Sequence, residues 1–181
     1  TAQAAVVEAS GNGFELRQLE EIQKNSESTL WFLDSLNSIE KKIIGKVSMI
    51  SVAIDNRDAF LHCFPLDSTL SQTEQHEHIK WETSQFVGET EAQEYVHDMY
   101  VLRTNAREQI NDVLTVAVKK STIADIHANL TSRKLNLKLV DTFHFAAEQA
   151  LTSAHPEMKS KQVALVGIST HRLDIGVRNG E

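Results

Sequence analysis

The chain has 181 residues, of which 41% are hydrophobic and 24% charged, with a formal net charge of -7. That is the size of one ordinary domain, and the acidity excludes a phosphate backbone as its principal partner. Cys63 is the one cysteine, which excludes an internal disulfide, and no apolar run reaches the ~20 residues of a membrane span. The first residues lack the charged and apolar parts of a signal peptide, so the default compartment is the cytoplasm. Seven glycines and two prolines are few turn residues for an all-β chain, and they predict long helices joined by few loops.

Residues 1–13 are small and polar and read as a flexible tail closed by "SGNG". Phe14, Leu16, Leu19, Ile22, Leu30, Trp31, Leu33 and Leu36 follow a helical spacing, with "KNSES" at 24–28 as an internal helix start. A second helix is predicted over 39–60. Pro65 cannot sit inside a helix, so 65–78 reads as a loop, followed by a short helix over 79–86 and a break at Gly88. Residues 91–118 read as one long helix and 122–130 as a short one capped by Ser121 or Thr122. Helices are then expected over 135–153 and 157–177, on either side of "AHPE".

The eight histidines are the residues with chemistry to offer. No nucleophile elbow, His-Glu-x-x-His or cysteine pair is present. The "HEH" of His76–His78 alternates in a stretch read as loop, which suits a surface rather than a metal site. Lys119, Lys120, Arg133 and Lys134 read as solvated helix ends. His97 shares a helical face with Val101, and His127 shares one with Ile123, four residues away in each case. The two histidines are 30 residues apart, enough for a helix, a turn and a return helix that aim both imidazoles into one cleft. Val101, Ile123, Leu130, Leu135 and Leu137 would line it. That is a geometry for a flat apolar cofactor with a metal at its centre.

The order of "VHDMYV", "IADIHANL", "LNLKLVDTFHFAAEQALTSAHPE" and "HRLDIGV" resembles the second half of the globin family, over about 95–177. Trp31 and Gly45 are similar to that family's first-helix tryptophan and close-approach glycine. The stretch 65–94 is longer than the family's usual connection. The resemblance implies an all-α globin fold, a 3-over-3 helical sandwich around haem b, in a domain over 14–181. It implies His127 as the iron ligand and His97 on the opposite side, hydrogen-bonding bound gas or binding the iron itself. Phe64 is favoured as the residue stacked on the haem, with Phe60, Trp81 and Phe86 as alternatives. Arg133 and Lys134, or Arg103, would pair with a haem propionate.

The expected function is reversible binding of oxygen, NO or CO for storage, sensing or redox work, by a ligand-binding protein rather than an enzyme, with a homodimer as the candidate assembly. The alternative is a haem-free helical sensory or interaction domain. A small peroxidase on the same haem is a third reading. No nucleic-acid or membrane partner is expected.

Overall fold

The computed structural model describes residues 2–10, 13–22, 31–43, 45–168 and 173–178. It is a mixed α/β chain, and this overturns the all-α expectation. The chain divides into two compact units, one of residues 1–50 and 129–136, the other of 51–128 and 137–181. β3 (Met49–Ile54), α4 (Lys120–Ser132) and β7 (Asn136–Thr142) each contribute residues to both.

In the first unit, β1 (Ala2–Ser10) and β2 (Gly13–Ile22) form an antiparallel hairpin, with a register shift between Val6 and Val7. Residues 2–10, expected within a flexible tail, are therefore strand. Arg17 crosses to Glu8 at 2.8 Å on the polar face, while Phe14, Leu16 and Leu19 stay exposed. α1 (Trp31–Lys42) meets β2 at its C-terminal end. The Gln18 amide donates to the Lys42 carbonyl at 2.8 Å, and Lys42 pairs with Glu20 at 3.3 Å. The "KNSES" helix start lies outside the described residues.

α4 ends in a left-handed cap. The Leu135 N–H donates to the Leu130 carbonyl and the Lys134 N–H to that of Thr131, with Lys134 at φ 58°.

The second unit is built on a three-stranded antiparallel sheet in the order β4-β6-β5. β4 is Ala59–Asp67, β5 Tyr95–Asn105 and β6 Ile110–Lys119. Residues 91–118 are thus mostly a hairpin and not a helix. An apolar run such as "VLTVAV" satisfies the helical and the strand period at once. Its β-branched valines and threonine pack better on a pleated surface, and that decides it. The turn at 106–109 uses no glycine; Gln109 takes φ 56° instead. Pro65 sits within β4, an edge strand, where the missing N–H is tolerated.

α2 (Gln72–Val87) covers one face of this sheet. It opens with a capping box, in which the Ser71 hydroxyl accepts from the Glu74 N–H and the Glu74 carboxylate accepts from the Ser71 N–H at 2.8 Å. It closes at Gly88, whose φ of 90° favours glycine. The predicted loop at 65–78 is therefore strand followed by helix. Phe64, Leu66, Ile79 and Val113 form the core between sheet and helix, with Leu70 and Met99 against it. The buried Thr83 hydroxyl is satisfied by donating to the Ile79 carbonyl at 2.9 Å.

α3 (Glu89–Ala92) leads into β5, and α4 follows β6. β3 pairs with β7, whose Thr142 caps α5 (Phe143–Ala154). Hence 135–153 is half strand and half helix. A 3-10 turn at Pro156–Ser160 precedes the antiparallel hairpin of β8 (Val163–Ile168) and β9 (Leu173–Arg178), where the last helix was expected. Exposure alternates residue by residue along "VALVGI" and "LDIGVR", the period of a strand, with Leu173, Ile175 and Val177 on the exposed face of β9.

Candidate docking site

Within the second unit, the sheet face away from α2 carries Val96, Asp98 and Tyr100 from β5 and Val116 and Val118 from β6. Together with Ile54, Ile123, Val140, Asp141, Thr142 and Phe145 they line a groove of about 140 Å³. Strand alternation puts these residues on one face. The Thr142 cap places Phe145 one turn into α5, with its ring 6.0 Å from that of Tyr100.

The groove is apolar along its length and acidic in two places. The Asp98 carboxylate accepts from the Met99 N–H at 2.8 Å, and that of Asp141 from the Thr142 N–H at 2.7 Å. Burial, and then the charges of Asp98 and Asp141, push the Tyr100 phenol above its ordinary pKa, so it stays a neutral donor. β5 bonds only to β6 among the described residues, so its other edge is open. His97 also lines the groove, which therefore reaches that edge.

A volume of about 140 Å³ is below the ~300–1,000 Å³ of small-molecule sites. It holds an anchoring side chain rather than a whole ligand. A second cavity of about 310 Å³ is lined by Arg57, Asp58, Phe60, Val87, Tyr95 and Lys119 among others. Its cations are already engaged, Arg57 with Asp55 at 2.9 Å and Lys119 with Glu91 at 2.8 Å. Among the described residues no group of three or more His, Cys, Asp or Glu is arranged to hold a metal ion, and no helix is long and apolar enough to cross a membrane.

The structure disperses most of the residues singled out in the sequence. His97 is half-buried on β5, while His127 is exposed on α4 and lines neither cavity. Val101 is exposed in the middle of β5 and does not line the groove. Ile123 does reach the groove. Phe64 is core beneath α2, and Leu137 is half-buried on β7. Leu130, Leu135 and Arg133 fall in the first unit. There Arg133 donates to the Asn37 side chain at 2.5 Å and pairs with Glu40 at 3.4 Å, which fixes it against α1. Phe60 and Phe86 face each other across the sheet–helix seam at 5.3 Å, and Trp81 is exposed. The groove residues Val96, Tyr100, Val116, Val118, Val140 and Phe145 were not singled out as a site. The alternation "VHDMY" was the signal that could have found the first two.

The chain is thus a mixed α/β protein with an apolar groove beside an open strand edge. A family model described as type IV pilus assembly protein PilM matches residues 16–181, and the chain belongs to that family. It is similar to a chain in the solved PilM-PilN type IV pilus biogenesis complex, with 17% identity and a TM-score of 0.78. The match covers 99% of this chain and 56% of the other, so this chain spans about half the length of that structure. The two chains share a mixed α/β fold. No curated protein matches. These findings correct the globin reading. The chain is not a 3-over-3 helical sandwich, and neither a haem protein carrying oxygen, NO or CO nor a haem-free helical domain describes it. The spaced histidines that suggested one are on a strand and a helix of an α/β fold.

Proposed function

We propose that this chain is a protein-docking part of type IV pilus assembly, and that it takes an extended apolar segment of a PilN-like partner along the β5 groove. Family membership and the partner in the similar complex support the pilus setting. The observation that carries the reading is the pairing of an open β5 edge with an apolar groove beside it. A strand added to that edge would satisfy its free N–H and C=O groups. Its alternate side chains would fall toward Val96, Val118 and Val140, one of them filling the deepest part. Asp98 and Asp141 favour a lysine, an arginine or an amino terminus on the bound segment.

The test is titration of the chain with PilN, followed by calorimetry. Val140→Asp puts a carboxylate into the groove and is expected to weaken binding at least tenfold, because that charge would be buried without a partner. Asp98→Asn should leave the fold intact and flatten the salt dependence of the association. PilN binding to folded Val140→Asp as tightly as to wild type would overturn the reading.

A further inference from the structure

The helix-covered face of the same sheet carries a cluster of groups of one sign. His76 and Lys80 stand four residues apart on α2, one above the other. The His76 ring is edge-on to that of His97 on β5, with centroids 6.2 Å apart. Lys120 opens α4 and is tied to the approach to β5 by two bonds. Its N–H donates to the Glu94 carbonyl at 2.7 Å and its ammonium to the Gln93 carbonyl at 2.5 Å. Across from His97 on β6 is Ala117, which has no charge to offer.

This grouping is out of character for a chain of net charge -7. Among the described residues no carboxylate pairs with His76, Lys80, His97 or Lys120. The ion pairs of α2 and α3 involve other residues, Glu82 with His62 and His78, and Glu91 with Lys119. His97 Nε2 is buried and has no hydrogen-bond partner. An orphan buried nitrogen costs about as much as a lost hydrogen bond, so it marks a place where something else completes the site. Burial first, and then the charges of His76, Lys80 and Lys120, hold His97 below the usual histidine range. A bound anion would reverse the last three effects together.

We propose that His76, Lys80, His97 and Lys120 form a binding site for a phosphate group. Two ammonium groups and two imidazoles match a tetrahedral dianion with several acceptor oxygens better than they match one carboxylate. His76 is exposed, so rotation of its ring uncovers His97 beneath it. Lys80 and Lys120 then hold the anion as point charges, and the two imidazoles donate. Free phosphate and the phosphoryl group of a larger molecule share this chemistry.

The experiment follows the histidine ring signals of the isotopically labelled chain by NMR while inorganic phosphate is added, against sodium chloride of equal ionic strength. The expected result is a saturable shift of the His76 and His97 signals and a rise in the titration midpoint of His97. Glycerol phosphate in a parallel titration tells a free ion from a phosphoryl group: tighter binding of the ester assigns the site to the latter, and tighter binding of inorganic phosphate to the former. Lys80→Gln and Lys120→Gln, each checked for native circular dichroism, should each weaken the binding about tenfold. His97→Gln should abolish the response of His76. Ring signals that respond to phosphate no more than to chloride would overturn the proposal, as would Lys80→Gln binding phosphate as well as wild type.

Discussion

Gly176 on β9 sits opposite Leu165 on β8, and its Cα faces the imidazole of His144 at the start of α5. A Cβ at position 176 would land on the His144 ring, with Nε2 as the nearest atom. Gly176→Ala therefore has two opposing effects. Inserting a methyl into an occupied space costs about 1–3 kcal/mol. Replacing glycine by alanine inside a strand returns about 0.5–1 kcal/mol of backbone entropy. The half-buried His144 ring can turn aside in part, which favours the lower end of the cost. The net expectation is a loss of about 1 kcal/mol in the wild-type background. In His144→Ala the obstacle is gone, and the same substitution should stabilise by about 0.5–1 kcal/mol. The sign of the effect thus inverts, with a coupling of about 1–3 kcal/mol between the two sites. Urea unfolding of the four proteins, read by far-ultraviolet circular dichroism and extrapolated to water, measures it. The Arg178–Glu148 bond at 3.1 Å also joins β9 to α5, and it is untouched in all four proteins. Effects that add within about 0.5 kcal/mol would refute the packing of β9 against α5 at this point.

The capping box at α2 predicts a pH effect. The Ser71 hydroxyl and then the Ser71 N–H hold the Glu74 carboxyl below its ordinary pKa, so this stabilisation is present above the usual carboxylate range and is lost as pH falls through the depressed Glu74 pKa. Ser71→Ala should cost about 1 kcal/mol at neutral pH, and Glu74→Gln should flatten the acid limb of stability against pH; unfolding midpoints measured across that range check both. Lys134 holds a left-handed φ of 58° at the end of α4. Lys134→Gly should raise stability by about 0.5–1 kcal/mol, since the left-handed cost of a side chain exceeds the entropy glycine adds, and thermal unfolding would show an increased midpoint.

Parts of this fold were legible in the chain. "TIADIHANL" reads as helix and is helix, because its periodicity is unambiguous and a short helix needs no distant partner to be recognised. The predicted helix at 79–86 is the later part of α2, whose start was missed because "STLSQTE" looks like loop chemistry. Its serine and glutamate are in fact the two halves of a cap. Scarce glycine and proline misled more seriously. This chain turns without glycine, as Gln109 does between β5 and β6, so few turn residues did not mean few turns. The groove was hidden for a related reason. Val96, Val116 and Val140 are far apart in sequence and share a surface only once β6 pairs with β5 and β7 comes beside them.

The sequence by itself determined an acidic α-containing chain with no internal disulfide, and the local chemistry that starts or ends individual helices. Those properties depend on composition or on residues within one turn of each other. Only the tertiary structure decided that 95–119 is a hairpin, that His97 belongs with His76 and not His127, and that Phe64 is core. A strand is stabilised by a partner elsewhere in the chain, so an apolar run that satisfies both periods acquires its form only when that partner is in place.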